Sequence, residues 1–311
     1  MRERKDNGER RTYNPRHICT TLGAVLWGVS GTCSQYLFTY KGVDSNWLTV
    51  VRMISAGILL LAVALVTRRK ELLGALSSRW GRMMLVVFGV CGLMVSQYTY
   101  LTAVQYTNSG TATVLQDIGP VLIMVVTCVM ARRLPRRGEI VAIVLTLTGV
   151  ALLATHGDPS NLVISPKGLT WGLLAAVGFL LYTMLPEGLM RRWGNLAVTG
   201  GAMFLGGVVL FFVVRFWRRS VVLDQEVIGM VALVVVMGTV LPYTLYLQGV
   251  RDIGAVRASL ISCVEPVTAT ICSTVWMHTL FMPLDLLGFA AILSAVCLLS
   301  VQKRTNGERA S

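Results

Sequence analysis

The sequence predicts an all-α integral membrane protein, with ten transmembrane helices arranged as two inverted five-helix repeats. Three observations predict it: an apolar composition with few charges, ten apolar runs of spanning length, and a match of the chain onto itself. The 311 residues are 54% hydrophobic and 14% charged, with a mean hydropathy of +0.66. A water-exposed globular surface is hard to build from that balance. Each span needs about 20 residues, so ten spans take roughly 200 and leave about 110 for tails and connections. No room remains for a sizeable extramembrane domain.

Taken in order, residues 1–17 form a polar tail with six basic residues, followed by an apolar run at 18–38. That run exceeds the ~7 to 15 residues of a signal-peptide core, so it reads as a retained first helix. Further runs bounded by charge or turn residues lie at 47–67, 83–104, 110–131 and 139–155, then at 168–187, 197–214, 228–249, 256–277 and 285–301. Pairs of small residues four apart, Ala24/Gly28, Gly172/Ala176 and Ala202/Gly206, permit close helix packing in lipid. The seven cysteines (19, 33, 91, 128, 263, 272 and 297) are odd in number and lie in apolar stretches, which implies no disulfide framework.

The net charge of +13 is read by position. With ten spans, twenty-one Lys and Arg fall on one side and five on the other, while Arg52 and Arg257 lie in or at the edge of helices. The positive-inside rule then places both termini in the cytoplasm. Arg215, Arg218 and Arg219 form the one cluster on the opposite side. The basic tails read as anchors near anionic lipid rather than as nucleic-acid sites.

Residues 100–153 lie on 246–299 without a gap at an offset of 146, pairing Tyr100 with Tyr246, Ala112 with Ala258 and Pro120 with Pro266. Upstream, Gly23 lies over Gly172 and Met53/Gly57 over Met203/Gly207 at offsets of 149 to 150. The organisation is therefore a tail (1–17), a first repeat (18–155), an extracytoplasmic linker (156–167), a second repeat (168–301) and a cytoplasmic tail (302–311). Five is odd, so the second repeat enters the bilayer inverted, and exchanging the conformations of the two halves generates states open to opposite sides.

Ionisable residues inside a bilayer are costly and usually face the bundle interior. Arg52, Asp117 and Glu265 qualify, as candidates for an ion pair, for coupling or for contact with a charged solute. Glu265 lies roughly 14 Å into its span and Asp117 about 10 Å. Pro120, Pro186, Pro242 and Pro266 interrupt helices and expose carbonyls, one way to present polar backbone near the midplane. Trp27, Gln97, Tyr98, Gln116, Tyr182 and Tyr243 are candidates to line an amphipathic cavity around them. No phosphate-binding G-x-x-x-x-G-K-[ST] loop occurs, and His17, His156 and His278 form no ligand set. No cofactor, metal, nucleic acid or enzymatic centre is expected.

The run AVQYTNSGTA at 103–112 leading to Gly119-Pro120, and its partner GVRDIGAVRA at 249–258 leading to Glu265-Pro266, resemble the EamA-type signature of the drug/metabolite transporter superfamily. Arg52 in WLTVVRMISAG stands where that family often has an arginine. The resemblance covers roughly residues 20–300. It implies a ten-helix secondary carrier, often an exporter of amino acids or other small metabolites; the Glu265 carboxylate itself makes a coupling proton a candidate partner, and the cytoplasmic membrane is the expected location. The Gly-Glu that often ends the fourth and ninth helices is absent: Ala131-Arg132-Arg133 and Trp276-Met277-His278 stand there, so no role of that glutamate transfers. Two alternatives accompany this reading, a proton-coupled drug exporter and a membrane scaffold or sensor without flux.

Overall fold

The structure is a computed structural model and describes residues 15–158, 162–246, 261 and 264–307. Among them there is no strand. The helices are α1 (Pro15–Tyr40), α2 (Ser45–Thr67), α3 (Arg69–Ser77), α4 (Arg79–Tyr106), α5 (Ser109–Met130), α6 (Arg137–Thr155), α7 (Pro166–Met184), α8 (Glu187–Trp193), α9 (Asn195–Val213), α10 (Gln225–Tyr246), α11 (Val264–Val275) and α12 (Pro283–Gly307). Seven of these, α2, α4, α5, α6, α7, α9 and α10, are long and apolar enough to cross a membrane. Helices also occupy the expected first, ninth and tenth spans, as α1, α11 and α12. The N-terminal tail to residue 14, the motif copy at 249–258 with Arg251 and Arg257, Cys263, and linker residues 159–161 lie outside the described residues.

Polar side chains start the spans at one end of the bundle, where they cap exposed N–H groups. Asp44 accepts from Asn46 N (3.0 Å), Asn108 from Thr111 N (2.8 Å), Ser165 from Gly168 N (3.1 Å) and Asp224 from Val227 N (2.7 Å). Between the caps the chain is apolar, and the central packing joins Met53, Phe88 and Met203, each at most 1% exposed. Two of the small-residue pairs seen in the sequence do bring backbones together. A Cβ on Gly28 would stand 2.7 Å from the Glu265 carbonyl, and one on Gly206 would overlap the Gly89 carbonyl. Only glycine allows α1 to lie so close to α11, and α9 to α4.

Two spans change their winding partway, α4 through π-helical turns at Phe88–Met94 and α10 at Val236–Val240. In the 146-residue register, 90–94 falls on 236–240, so the irregular turns occupy matching positions. Two expectations need correction. The predicted connection 68–82 holds the short helix α3, and the run extended to residue 187 ends as a helix at Met184. Pro186 therefore precedes α8 instead of breaking a span. Both short helices are too charged to register as apolar runs: α3 opens Arg69-Lys70-Glu71 and α8 carries Arg191 and Arg192.

Candidate functional site

Arg52 lies seven residues into α2, and its side chain is buried rather than extended to the surface, at 5% exposed. Its Nε donates to Thr239 Oγ1 (2.9 Å) and its Nη2 to the Gly238 carbonyl (3.0 Å). Both acceptors belong to the π-helical turns of α10, where the altered winding leaves backbone groups available to outside partners. Ser30 of α1 closes the other side. A Cβ on Gly238 would overlap its hydroxyl, which is buried and has no hydrogen-bond partner among the described residues.

Asp117 stands where α5 is interrupted: one helical stretch ends at Gln116, and the next starts at Gly119 with Pro120 in its first turn. Eight residues past the start of α5, the carboxylate is about 12 Å deep at 1.5 Å per residue. Glu265 lies ten residues before the end of α11, about 15 Å deep. The two carboxylates interact electrostatically, and Glu265 also interacts with Arg52. Neither receives a hydrogen bond from any described residue, and both keep partial solvent access.

Aromatic groups lie near this charge cluster. Trp27 of α1 meets Tyr243 edge-on and Tyr246 at a tilt, both at 5.4 Å between ring centroids. Tyr243 is within reach of Tyr182 and Gln97, and Tyr182 and Tyr243 both feel the Glu265 charge. Tyr182 packs on Phe179 at 5.8 Å. Pro242 directly follows the π-helical turns of α10, its carbonyl 3.3 Å from where a Cβ on Gly23 would be, and Pro266 sits in the first described turn of α11. The structure thus brings Trp27, Arg52, Gln97, Asp117, Tyr182, Tyr243 and Glu265 to one region. Gln116 adjoins Asp117 at the helix interruption. Tyr98 sets its ring edge-on to Trp171 of α7 at 5.5 Å and packs against the same hydrophobic cluster as Trp27, Tyr182 and Tyr243. Gly238, Thr239 and Tyr246 went unnoticed in the sequence. The signal that could have found the first two is their position on the helix that aligns with α4.

Towards the end of the bundle carrying the α1–α2 connection, the polar groups are matched. Gln35 Oε1 accepts from Ser109 N (2.9 Å) and Ser273 Oγ (2.8 Å), and Gln35 Nε2 donates to Thr279 Oγ1 (3.2 Å). The hydroxyls of Ser109 and Ser273 are 2.7 Å apart. Above them Tyr36 stacks on Trp276 at 5.3 Å and donates to Glu226 (2.5 Å). Lys41 pairs with Glu226 (2.5 Å) and Asp224 (3.1 Å), and Arg219 pairs with Asp44. Glu226 first, then Asp224, holds the Lys41 ammonium above its usual pKa. Asp224 is held below the usual carboxylate range by the Val227 N–H first and by Lys41 second. Apart from the Gln35–Ser109 bond, each of these inter-helix bonds joins residues before 156 to residues after 167.

The EamA-like transporter family model matches residues 16–155 and 166–301. The chain is similar to the inner membrane transporter YicL of Salmonella typhimurium, 34% identical over 93% of this chain and 96% of that one. It is 22% identical to the transporter YwfM of Bacillus subtilis over 91% and 93% of the two chains. Over a shorter stretch, 38% of this chain and 37% of the other, it is 30% identical to an S-adenosylmethionine/S-adenosylhomocysteine transporter of Chlamydia muridarum. A solved crystal structure at 17% identity superposes with a TM-score of 0.62, covering 94% of this chain and 98% of that one, so the fold is shared.

Proposed function

This chain belongs to the EamA-like transporter family, and from that premise we propose that it is a secondary carrier that moves a small organic metabolite, such as an amino acid, out of the cell. A multi-pass membrane transporter is what the family and the apolar helices establish. The observation that carries the finer reading is the meeting of Asp117, Glu265 and Arg52 inside the bundle, at a helix interruption and at π-helical turns. Charges that deep in a bilayer are retained where solute or ions pass.

In this reading ten helices form two inverted halves, 18–155 and 168–301, with both termini cytoplasmic in the cytoplasmic membrane. Two features support it: the π-helical turns fall in matching register, and α5 is interrupted at Asp117 just ahead of Pro120, the register partner of Pro266 in α11. The end carrying the α1–α2 connection is then extracytoplasmic and closed by the Gln35–Ser109–Ser273 bonds and the Lys41 pairs. Release of the solute outward requires those cross-half bonds to part. A proton on Glu265 would be the coupling species of a drug/proton exchanger, the second reading.

Counterflow in proteoliposomes preloaded with mixed amino acids and metabolites tests the carrier reading, because it detects exchange without the driving ion. Saturable exchange by the wild type that Glu265→Gln abolishes is the expected result. A monodisperse protein giving no exchange above protein-free vesicles across the panel would remove the carrier reading and favour a scaffold or sensor.

A further inference from the structure

We propose that the seam between α2 and α10 binds an anionic phospholipid, with one acyl chain lying in the seam and the phosphate resting on Arg215 and Arg218. This goes beyond the carrier reading and does not depend on flux. Between the two helices runs a groove of about 480 Å³. Trp47, Val51 and Leu59 form its α2 wall, and Ile228, Val231 and Val235 its α10 wall, with Ser55 supplying the one hydroxyl. Leu59, Ile228 and Val236 are exposed, so the groove opens on the side of the bundle that lipid covers. A polar solute has nothing to bind there, whereas a hydrocarbon chain buries apolar surface along its whole length.

The dimensions suit a chain of one leaflet. Both helices start at the end of the bundle carrying the α1–α2 connection, and the groove follows their first halves. From Trp47 to Leu59 the α2 wall is about 18 Å long at 1.5 Å per residue. Half of a hydrocarbon core is about 15 Å. The inner end of the groove is Val235 and Val236, where the π-helical turns begin. A seated chain therefore packs against the same turns whose Gly238 and Thr239 hold Arg52.

Charge at the mouth of the groove is the second observation, independent of its shape. Phe216, in the turn Phe216–Arg218, stacks on Trp47 at 6.1 Å and so sets that turn against the groove's outer end. Arg215 and Arg218 flank this ring in the chain, are exposed, and form no ion pair among the described residues. The acids of the same rim are already engaged, Asp44 by Arg219 and both Asp224 and Glu226 by Lys41. Trp217, also exposed, is an amphipathic ring of the kind that settles at headgroup depth. In the proposed orientation this is the extracytoplasmic side, where basic clusters are otherwise avoided. Guanidinium groups bind phosphate oxygens through charge-assisted bonds, and a headgroup with net negative charge brings no cation of its own to compete.

Two lipids with identical chains, phosphatidylglycerol and phosphatidylcholine, test the assignment. Each is offered to the purified full-length protein stripped of lipid in a neutral detergent, and bound lipid is counted by native mass spectrometry. About one phosphatidylglycerol should be retained per protein, at least about fivefold over phosphatidylcholine, with a rise in melting temperature. Arg215→Asn combined with Arg218→Gln should bring phosphatidylglycerol down to the phosphatidylcholine level; asparagine tolerates the left-handed backbone at Arg215, φ 51°. Ala232→Phe, which fills the groove from its lipid side, should lower retention of both lipids together. Arg132→Gln with Arg136→Gln, in the basic connection between α5 and α6, should change neither.

Equal retention of the two lipids, or a preference that survives Arg215→Asn with Arg218→Gln, would overturn the headgroup assignment. A preference lost equally on changing Arg132 and Arg136 would reduce it to diffuse charge attraction and overturn the site. Retention untouched by Ala232→Phe would take the chain out of the groove. Glycerol 3-phosphate raising the melting temperature as much as the lipid would show an anion site that needs no chain, and overturn the proposal as well. Each of these outcomes is read without flux, so none of them decides the carrier reading.

Discussion

The end of the bundle at the α1–α2 connection and the charge cluster beneath it are both rich in polar groups, yet they treat those groups in opposite ways. At the end, Gln35 alone satisfies Ser109, Ser273 and Thr279, and Lys41 satisfies Glu226 and Asp224. In the charge cluster, Asp117 and Glu265 receive no hydrogen bond from the described residues. Buried polar groups are normally paired because an unpaired one costs free energy. Matched groups therefore report on structure, and carboxylates that keep solvent access inside the bundle are open to a partner. Arg52 belongs to both classes: its Nε and Nη2 are bonded to α10, while its charge lies near Glu265.

Removing Arg52 should accordingly have the largest effect. Arg52→Ala leaves the Gly238 carbonyl and Thr239 without their donors and Glu265 without a nearby positive charge. A loss on the order of 3 kcal/mol in stability is expected, seen as a sharp fall in folded yield and melting temperature. Arg52→Lys should recover only part of it, since one ammonium does not reproduce the planar fork that reaches both acceptors. Full recovery by Lys would reduce the role of Arg52 to charge alone.

Next in size is a pair of opposed shifts. Ser109→Ala removes a hydroxyl that lies against Ser273 and Thr32, and should cost about 1–2 kcal/mol. Glu265→Gln and Asp117→Asn replace unmatched charges with neutral amides, and should leave the melting temperature unchanged or raise it. Thermal melts of the three variants in one detergent check this. Should Glu265→Gln melt lower than Ser109→Ala, the division into matched and unmatched regions would be wrong.

Much of that division could not have been read from the residues in order. Asp117 and Glu265 stood out because carboxylates are rare inside apolar runs, and the interruption of α5 was legible in Asp117 standing just ahead of Gly119-Pro120. The position of Arg52 was legible, but its partners were not: Gly238 and Thr239 lie 186 and 187 residues away, and nothing local marks their turns as π-helical. Gln35, Ser109 and Ser273 look like any small polar residue in a membrane helix until the fold brings them together. The short helices α3 and α8 escaped because apolar periodicity detects spans, and they are not spans.

The smallest effect is expected at the exposed rim, and it is the one that pH should expose. Asp224 has a folded pKa below its ordinary 3.8, through the Val227 N–H and Lys41. A depressed carboxylate adds stability at pH values above its unfolded pKa and loses it as pH falls through the folded value. The rim should therefore hold throughout the neutral range and weaken only below about pH 4. Its groups are solvent-exposed, and exposed ion pairs contribute little, so the change is a shallow slope and not a transition. Asp224→Asn should flatten the slope of melting temperature between pH 6 and pH 3, whereas Ser109→Ala, which removes no titratable group, should keep the wild-type slope at a lower melting temperature. A wild-type slope in Asp224→Asn would locate the acid sensitivity elsewhere, with the Glu226 carboxylate that shares Lys41 as the group to change next.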